Sequence, residues 1–272
     1  QQGLYSLIFW FRLVYKACKY FLSVGRNTSN ISTMGDLGWT SCLNKQRVSC
    51  VRLLCKLTRM DQSRTVYDIW SWISRRRKGW NTEVNKMVNL LEIRNIVSDV
   101  SLSTKVVMKK VTEQVNILNN TEWQRELFND RGKDNGNKLR TYRQYKSNCS
   151  VEPYVSKIIP RSYRRVMALF RAGSLPLAIE TGRYTKPPIP VEDRLCVYCS
   201  DKSVETEKHF LLNCCLYNDL RFDLYSECSQ HINSFENLND DLKFIQIMNC
   251  SEIQPFLCKS IHKFFMRRKL FT

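Results

Sequence analysis

The feature that most constrains this chain is a short run of soft donors: Cys196, Cys199, His209 and Cys214, spaced C-x2-C-x9-H-x4-C. A CxxC turn brings two thiolates to one point, which is half of a tetrahedron. The H-x4-C pair supplies the other half, within the spacing zinc modules use. A four-donor set without an open position suits a structural ion, and a His among the donors favours Zn2+ over an iron–sulfur cluster. On an ideal helix His209 and Cys214 stand about 140° apart, so the turn between them must loosen to bring Cys214 in. Cys215 is a rival ligand, and spacing favours Cys214. The other reading keeps the thiols free in a core, with His209 a buried, satisfied imidazole.

The rest of the chain is periodic in the helical sense. Residues 4–22 form a predicted amphipathic helix, interrupted by Arg12, Lys16 and Lys19 and therefore neither a signal nor a span. Residues 23–46 read as broken. Helical stripes then run over Arg47–Thr58, Thr65–Ile73 (Val66, Ile69, Trp70, Ile73) and from Trp80 onward. One or two further helices cover 94–128, and Trp70, Trp72, Trp80 and Trp123 read as core. Arg161–Ala172 is predicted helical and ended by Gly173, and helices follow near 215–230, 240–248 and 253–269. Strand-type alternation is almost missing, so the predicted class is mainly α: a helical thumb/connector-like region (1–128), a linker and basic helix (129–190), and a zinc-binding module with C-terminal helices (191–272). Asn129–Lys138 is the expected linker.

Charge narrows the choice of partner. The 272 residues carry 43 Lys+Arg against 25 Asp+Glu, a formal charge of +18. Such an excess calls for an anionic partner, most commonly nucleic acid. The segment 191–241 is nevertheless acidic, with eleven acids and four bases. The bulk phosphate grip is therefore expected elsewhere. Arg75, Arg76, Arg77 and Lys78 sit at a turn, where a phosphate grip and a solvated loop are both open. Arg161, Arg164, Arg165 and Arg171 lie on the predicted helix and are read as phosphate contacts, with Arg183 beside them. Glu180 offers Arg183 an alternative partner. Lys259–Lys269 adds a basic closing helix. Twelve Cys, mostly isolated, and five scattered Asn-x-Ser/Thr triplets fit a reducing intracellular setting (nuclear or cytoplasmic) better than a secreted disulfide scaffold.

Several stretches resemble the C-terminal region of non-LTR (LINE-type) retrotransposon reverse transcriptases. They are Arg171–Tyr184, Arg194–Cys199, Val204–Cys214 with Tyr217 and Arg221, and more loosely Lys19–Trp39, Arg52–Asp61 and Lys259–Leu270. The likeness covers nearly all of the chain from about residue 19, and the zinc box is its specific part. Two departures are Thr206, which interrupts the acidic run at Glu205 and Glu207, and Leu54–Cys55, where an aromatic is usual. The resemblance implies RNA or DNA (a template–primer) as partner, with the polymerase palm and fingers upstream in one polyprotein. The start at Gln1 is read as a sign of such a longer frame. No paired-aspartate palm motif is present, and Asp240–Asp241 is expected in an exposed acidic loop, so no catalytic residues are assigned. The alternative is a zinc-stabilised protein-interaction module in which the acidic segment docks a partner and no membrane is involved.

Overall fold

The structure is a computed structural model that describes residues 2–76, 78–129 and 138–270, with side chains from residue 12 onward. It is mainly helical, and among the described residues there are two isolated β-bridges and no longer strand. The chain divides into two compact units: residues 1–14 with 40–122, and residues 15–39 with 123–272. The boundaries fall inside α1 (Gln2–Leu22) and α7 (Thr104–Phe128). No helix of the described residues is long and apolar enough to cross a membrane.

The first unit is built from α3 (Cys42–Thr58), α4 (Thr65–Ser74), α5 (Trp80–Leu90), α6 (Arg94–Ser98) and most of α7. Ser41 caps α3 by accepting the Asn44 amide at 3.2 Å. Its core is aliphatic and follows the helical spacing: Val51 and Cys55 from α3, Val84 and Val88 from α5, Val111 and Val115 from α7. Trp70 and Trp80 pack edge-to-face at 5.9 Å against this cluster. Trp72 does not join it. It is exposed, as are Val66 and Ile69, and the Arg76 guanidinium lies 3.6 Å from its ring centroid. The expected buried stripe on α4 is thus mostly a surface, because a short helix aims only part of its apolar perimeter at one neighbour.

In the second unit, residues 30–37, expected to be irregular, form α2 (Asn30–Leu37). Local chemistry explains the difference. Ser29 accepts the Ser32 amide at the N-cap, and Gly38 closes the helix at φ +59°, where a Cβ would meet the Val151 nitrogen at 2.5 Å. Short helices α8 (Tyr142–Tyr145) and α9 (Pro153–Ser156) follow, then α10 (Arg161–Arg171), α11 (Ala178–Thr181), α12 (Asn218–His231), α13 (Asp240–Asn249) and α14 (Gln254–Lys269). Gly173, at φ +59°, ends α10 as the sequence predicts. Helix α14 packs along α10 and α12. Their shared core is aromatic: Phe170, Phe210, Phe244, Phe264 and Tyr217, with Tyr217 stacked on Phe264 at 4.9 Å. Residues 130–137 of the expected linker lie outside the described residues. Residues 139–172 contribute Leu139, Tyr142, Tyr154 and Met167 to the core.

Asp240 and Asp241 are not in a loop. They form the first turn of α13, capped by Asn239, where carboxylates meet the positive end of the helix dipole. Asp241 pairs with Lys208 at 2.6 Å.

Candidate metal centre

The donor cluster is assembled by three local devices. The Leu195–Val204 bridge, with Cys196 N–H donating to the Ser203 carbonyl at 2.8 Å, closes a tight turn that carries Cys196 and Cys199. Thr206 then starts the next helical segment. Its hydroxyl accepts the His209 amide at 3.1 Å, so the residue that breaks the acidic run acts as a cap. From His209 to Asn213 the chain is π-helical, and Cys214 N–H donates to the His209 carbonyl at 2.8 Å. An i→i+5 bond stacks residue i+5 over residue i. This is the loosened turn that the H-x4-C spacing requires.

The sulfur and nitrogen positions can be tested against an ion. With metal–ligand lengths near 2.3 Å for sulfur and 2.0–2.1 Å for nitrogen, a zinc tetrahedron has S–S edges of ~3.8 Å and S–N edges of ~3.6 Å. The cluster has Cys196–Cys214 at 3.8 Å, Cys199–Cys214 at 3.6 Å and Cys199 Sγ–His209 Nε2 at 3.5 Å. All four donor atoms lie within 4.8 Å of one another. Three of the six edges thus match a zinc tetrahedron, and Cys196, Cys199, His209 and Cys214 could hold a metal ion. Cys215 is exposed and lies outside this set, although its sulfur is 3.5 Å from that of Cys199.

The surroundings hold the donors in place. The buried Arg221 guanidinium donates to the carbonyls of Leu211 (3.0 Å) and Cys214 (2.7 Å), and the latter also accepts the Tyr217 amide at 3.2 Å. Arg194, also buried, bonds the carbonyls of Ile179 and Ile189, both at 2.9 Å. Burial lowers the His209 pKa, with Asp201 and Glu205 opposing, which favours the neutral imidazole a metal needs. Burial raises the Cys214 thiol, so an incoming cation must compete with a proton there.

Five of the eleven acids of the segment 191–241 pair with Lys or Arg of the second unit. Buried Glu205 pairs with Arg268 and accepts the Ala178 amide at 2.6 Å. Glu207, whose pKa burial raises against the pull of Arg140, takes both of its oxygens to that guanidinium at 2.7 and 2.8 Å. Asp219 pairs with Arg267, and Asp223 with Lys263 at 3.7 Å.

The expected phosphate contacts fare unequally. Arg171 is 1% exposed. Asp36 accepts from its Nε at 2.9 Å and from its second terminal nitrogen at 3.0 Å, and Glu152 lies 3.1 Å from the latter. Tyr142 and Tyr154 donate to the same Asp36 carboxylate at 2.9 and 2.8 Å, and Gln254 and Lys146 satisfy Glu152. A guanidinium enclosed in this way has no face for a phosphate, so Arg171 is a core residue. Arg183 is half-buried, 3.5 Å from Glu180, which also accepts from Lys138 at 2.7 Å and from the Tyr184 hydroxyl at 3.0 Å.

Arg161 and Arg165 are exposed on α10, with Arg161 donating to the Ser23 hydroxyl at 2.6 Å. Half-buried Arg164 lies 5.4 Å from the Phe21 ring centroid. In the first unit Arg75, Arg76 and Lys78 are exposed, and Arg77 lies outside the described residues. Sequence reasoning missed the Asp36–Arg171–Glu152 network. The available hint was Asp36 as the one charged residue of α2.

No family model, curated protein or solved structure matches the chain.

Proposed function

We propose that this chain is a nucleic-acid-binding module stabilised by a structural zinc ion. In this reading it is a C-terminal part of a LINE-type reverse transcriptase whose catalytic palm lies elsewhere in a longer polyprotein. The supporting observation is the match between the four donor atoms and a zinc tetrahedron, in the same unit as cations that remain at the surface. The ion would fix the segment from Leu195 to Tyr217 against α12 and α14. That segment already lends Phe210 and Tyr217 to the core, and the ion would tie the CxxC turn to them.

Nucleic acid would then meet the free cations of the same unit. Arg165 and Lys269 line a cleft of about 450 Å³ together with Tyr184 and Phe265. Tyr184 is 66% exposed, which leaves its ring open for stacking. Guanidinium and ammonium groups beside open aromatic rings can take the phosphates and bases of a single strand or a frayed duplex. The protein-interaction alternative, in which the acidic segment docks a partner, is the weaker one. Glu205, Glu207, Asp219, Asp223 and Asp241 already have internal cationic partners.

The test combines metal analysis with a salt titration. The purified full chain is expected to hold one zinc per molecule. Its affinity for a short RNA should fall steeply as salt rises, and Arg165→Ala should lower the slope of log K against log salt by about 1. A flat salt dependence would overturn the nucleic-acid reading, and metal-free protein of unchanged stability would overturn the zinc reading.

A further inference from the structure

The fifth thiol of the cluster has no place in the tetrahedron, yet it lies against one corner of it. Cys215 is exposed, whereas Cys196 and Cys214 are 3% and 0% exposed. The Cys215 sulfur is 3.5 Å from Cys199 Sγ, and the Cys215 amide donates to that same sulfur at 3.3 Å. The Cys215 thiol donates to the Tyr198 carbonyl at 3.0 Å, which keeps it beside the CxxC turn.

We propose that Cys199 and Cys215 are an oxidative modification site, at which a low-molecular-weight disulfide converts the pair into a Cys199–Cys215 disulfide and discharges the bound metal. A disulfide places the sulfurs about 2.05 Å apart, so they must approach by about 1.5 Å. An oxidant reaches the cluster at Cys215 first, because that thiol is exposed while Cys199 is half-buried and Cys196 and Cys214 are enclosed.

The steps balance. The Cys215 thiolate attacks one sulfur of oxidised glutathione, giving a mixed disulfide and one glutathione thiolate. The Cys199 thiolate then attacks the Cys215 sulfur and releases the second glutathione thiolate. Two protein thiols lose two electrons, and one glutathione disulfide becomes two glutathiones. The ion is left with Cys196, His209 and Cys214. Excess thiol reverses both steps and restores the four-donor set.

The metal-release half of this inference rests on the zinc reading above, and the cross-link half does not. The experiment treats zinc-loaded full chain with oxidised glutathione in the absence of air. Released zinc is followed with a chromogenic chelator, and the linked peptides are mapped by mass spectrometry. A Cys199–Cys215 linked peptide should appear together with one equivalent of released zinc. Cys215→Ser, which changes no ligand, should still bind one zinc and release it about tenfold more slowly or less. Cys215→Ala provides the same comparison without a hydroxyl.

Release from both variants at the wild-type rate, or a linked peptide joining other cysteines, overturns the proposal. If the chain takes up no zinc, the metal reading fails, and the inference is then judged by the cross-link: its formation on the metal-free chain retains the site, and its absence removes it.

Discussion

The two units of this molecule solve the same packing problem with different chemistry. The first is held by an aliphatic stripe: Val51, Val84, Val88, Ile93, Val111 and Val115 are all 3% exposed or less. Its one buried polar contact of note is Asn44 donating to Asn119 at 3.1 Å. The second unit encloses Arg171, Asp36, Glu205, Glu207, Arg194 and Arg221, and adds a cluster of four metal-type donors. Apolar burial is forgiving about side-chain geometry, whereas a buried charge is tolerated only where its partner stands at hydrogen-bonding distance. The second unit should therefore be the more brittle of the two, because removing one partner leaves the other uncompensated.

Metal removal should sharpen this contrast most. A strong chelator, or Cys196→Ser, is expected to unfold the segment from Leu195 to Tyr217 and loosen α12 and α14. Structural zinc in small modules is associated with apparent binding energies on the order of 10 kcal/mol. Hydrogen exchange should show lost protection there, with residues 42–118 little changed. Equal loss in both regions would erase the distinction between them.

Arg171→Ala comes next. It strands Asp36 in the core without a cation, while Glu152 keeps Lys146, and should cost about 3–5 kcal/mol in denaturant unfolding of the second unit. Ile93→Ala, in the first unit, should cost about 2–5 kcal/mol by opening a cavity. The contrast lies in what rescues each site. A Met at position 171 still leaves Asp36 without a cation, whereas a Val at position 93 should recover most of the loss. Full stability of the Arg171 variants would show that the network is not a structural requirement.

Per residue the smallest effect is alkaline. Burial raises the pKa of Tyr142, Tyr145 and Tyr154; Asp36 adds to the rise, and Arg171 opposes it. The unfolded chain releases these protons near pH 10 while the folded chain keeps them. The unfolded state then binds fewer protons, so stability falls as pH rises above about 10, by up to about 1.4 kcal/mol per pH unit for each tyrosine. Denaturant midpoints at about pH 9 and about pH 11 should separate, with the loss confined to the second unit. Tyr154→Phe should remove one tyrosine's share of the slope. An unchanged midpoint would mean that these hydroxyls are not enclosed as described.

Residue pattern alone carried the helical class, the end of α10 at Gly173, the donor spacing and even the need for a widened turn between His209 and Cys214. Each depends on neighbours a few residues apart, whose geometry is fixed by backbone repeat and capping. The fate of the cations was not of this kind. Arg171 reads in sequence as a phosphate contact on α10, but its acid partner Asp36 is 135 positions away on a helix that Ser29 and Gly38 delimit. Trp72 looked like core and stands at the surface, because which part of α4 is covered depends on how its neighbours pack. Sequence thus determined most of the helices and the metal-type donor set, since both are written in short-range spacing, although α2 and the first turn of α13 escaped it. The tertiary structure decided which charges are buried in pairs and which stay exposed, because a long side chain on a helix can reach either solvent or a carboxylate that only folding brings beside it.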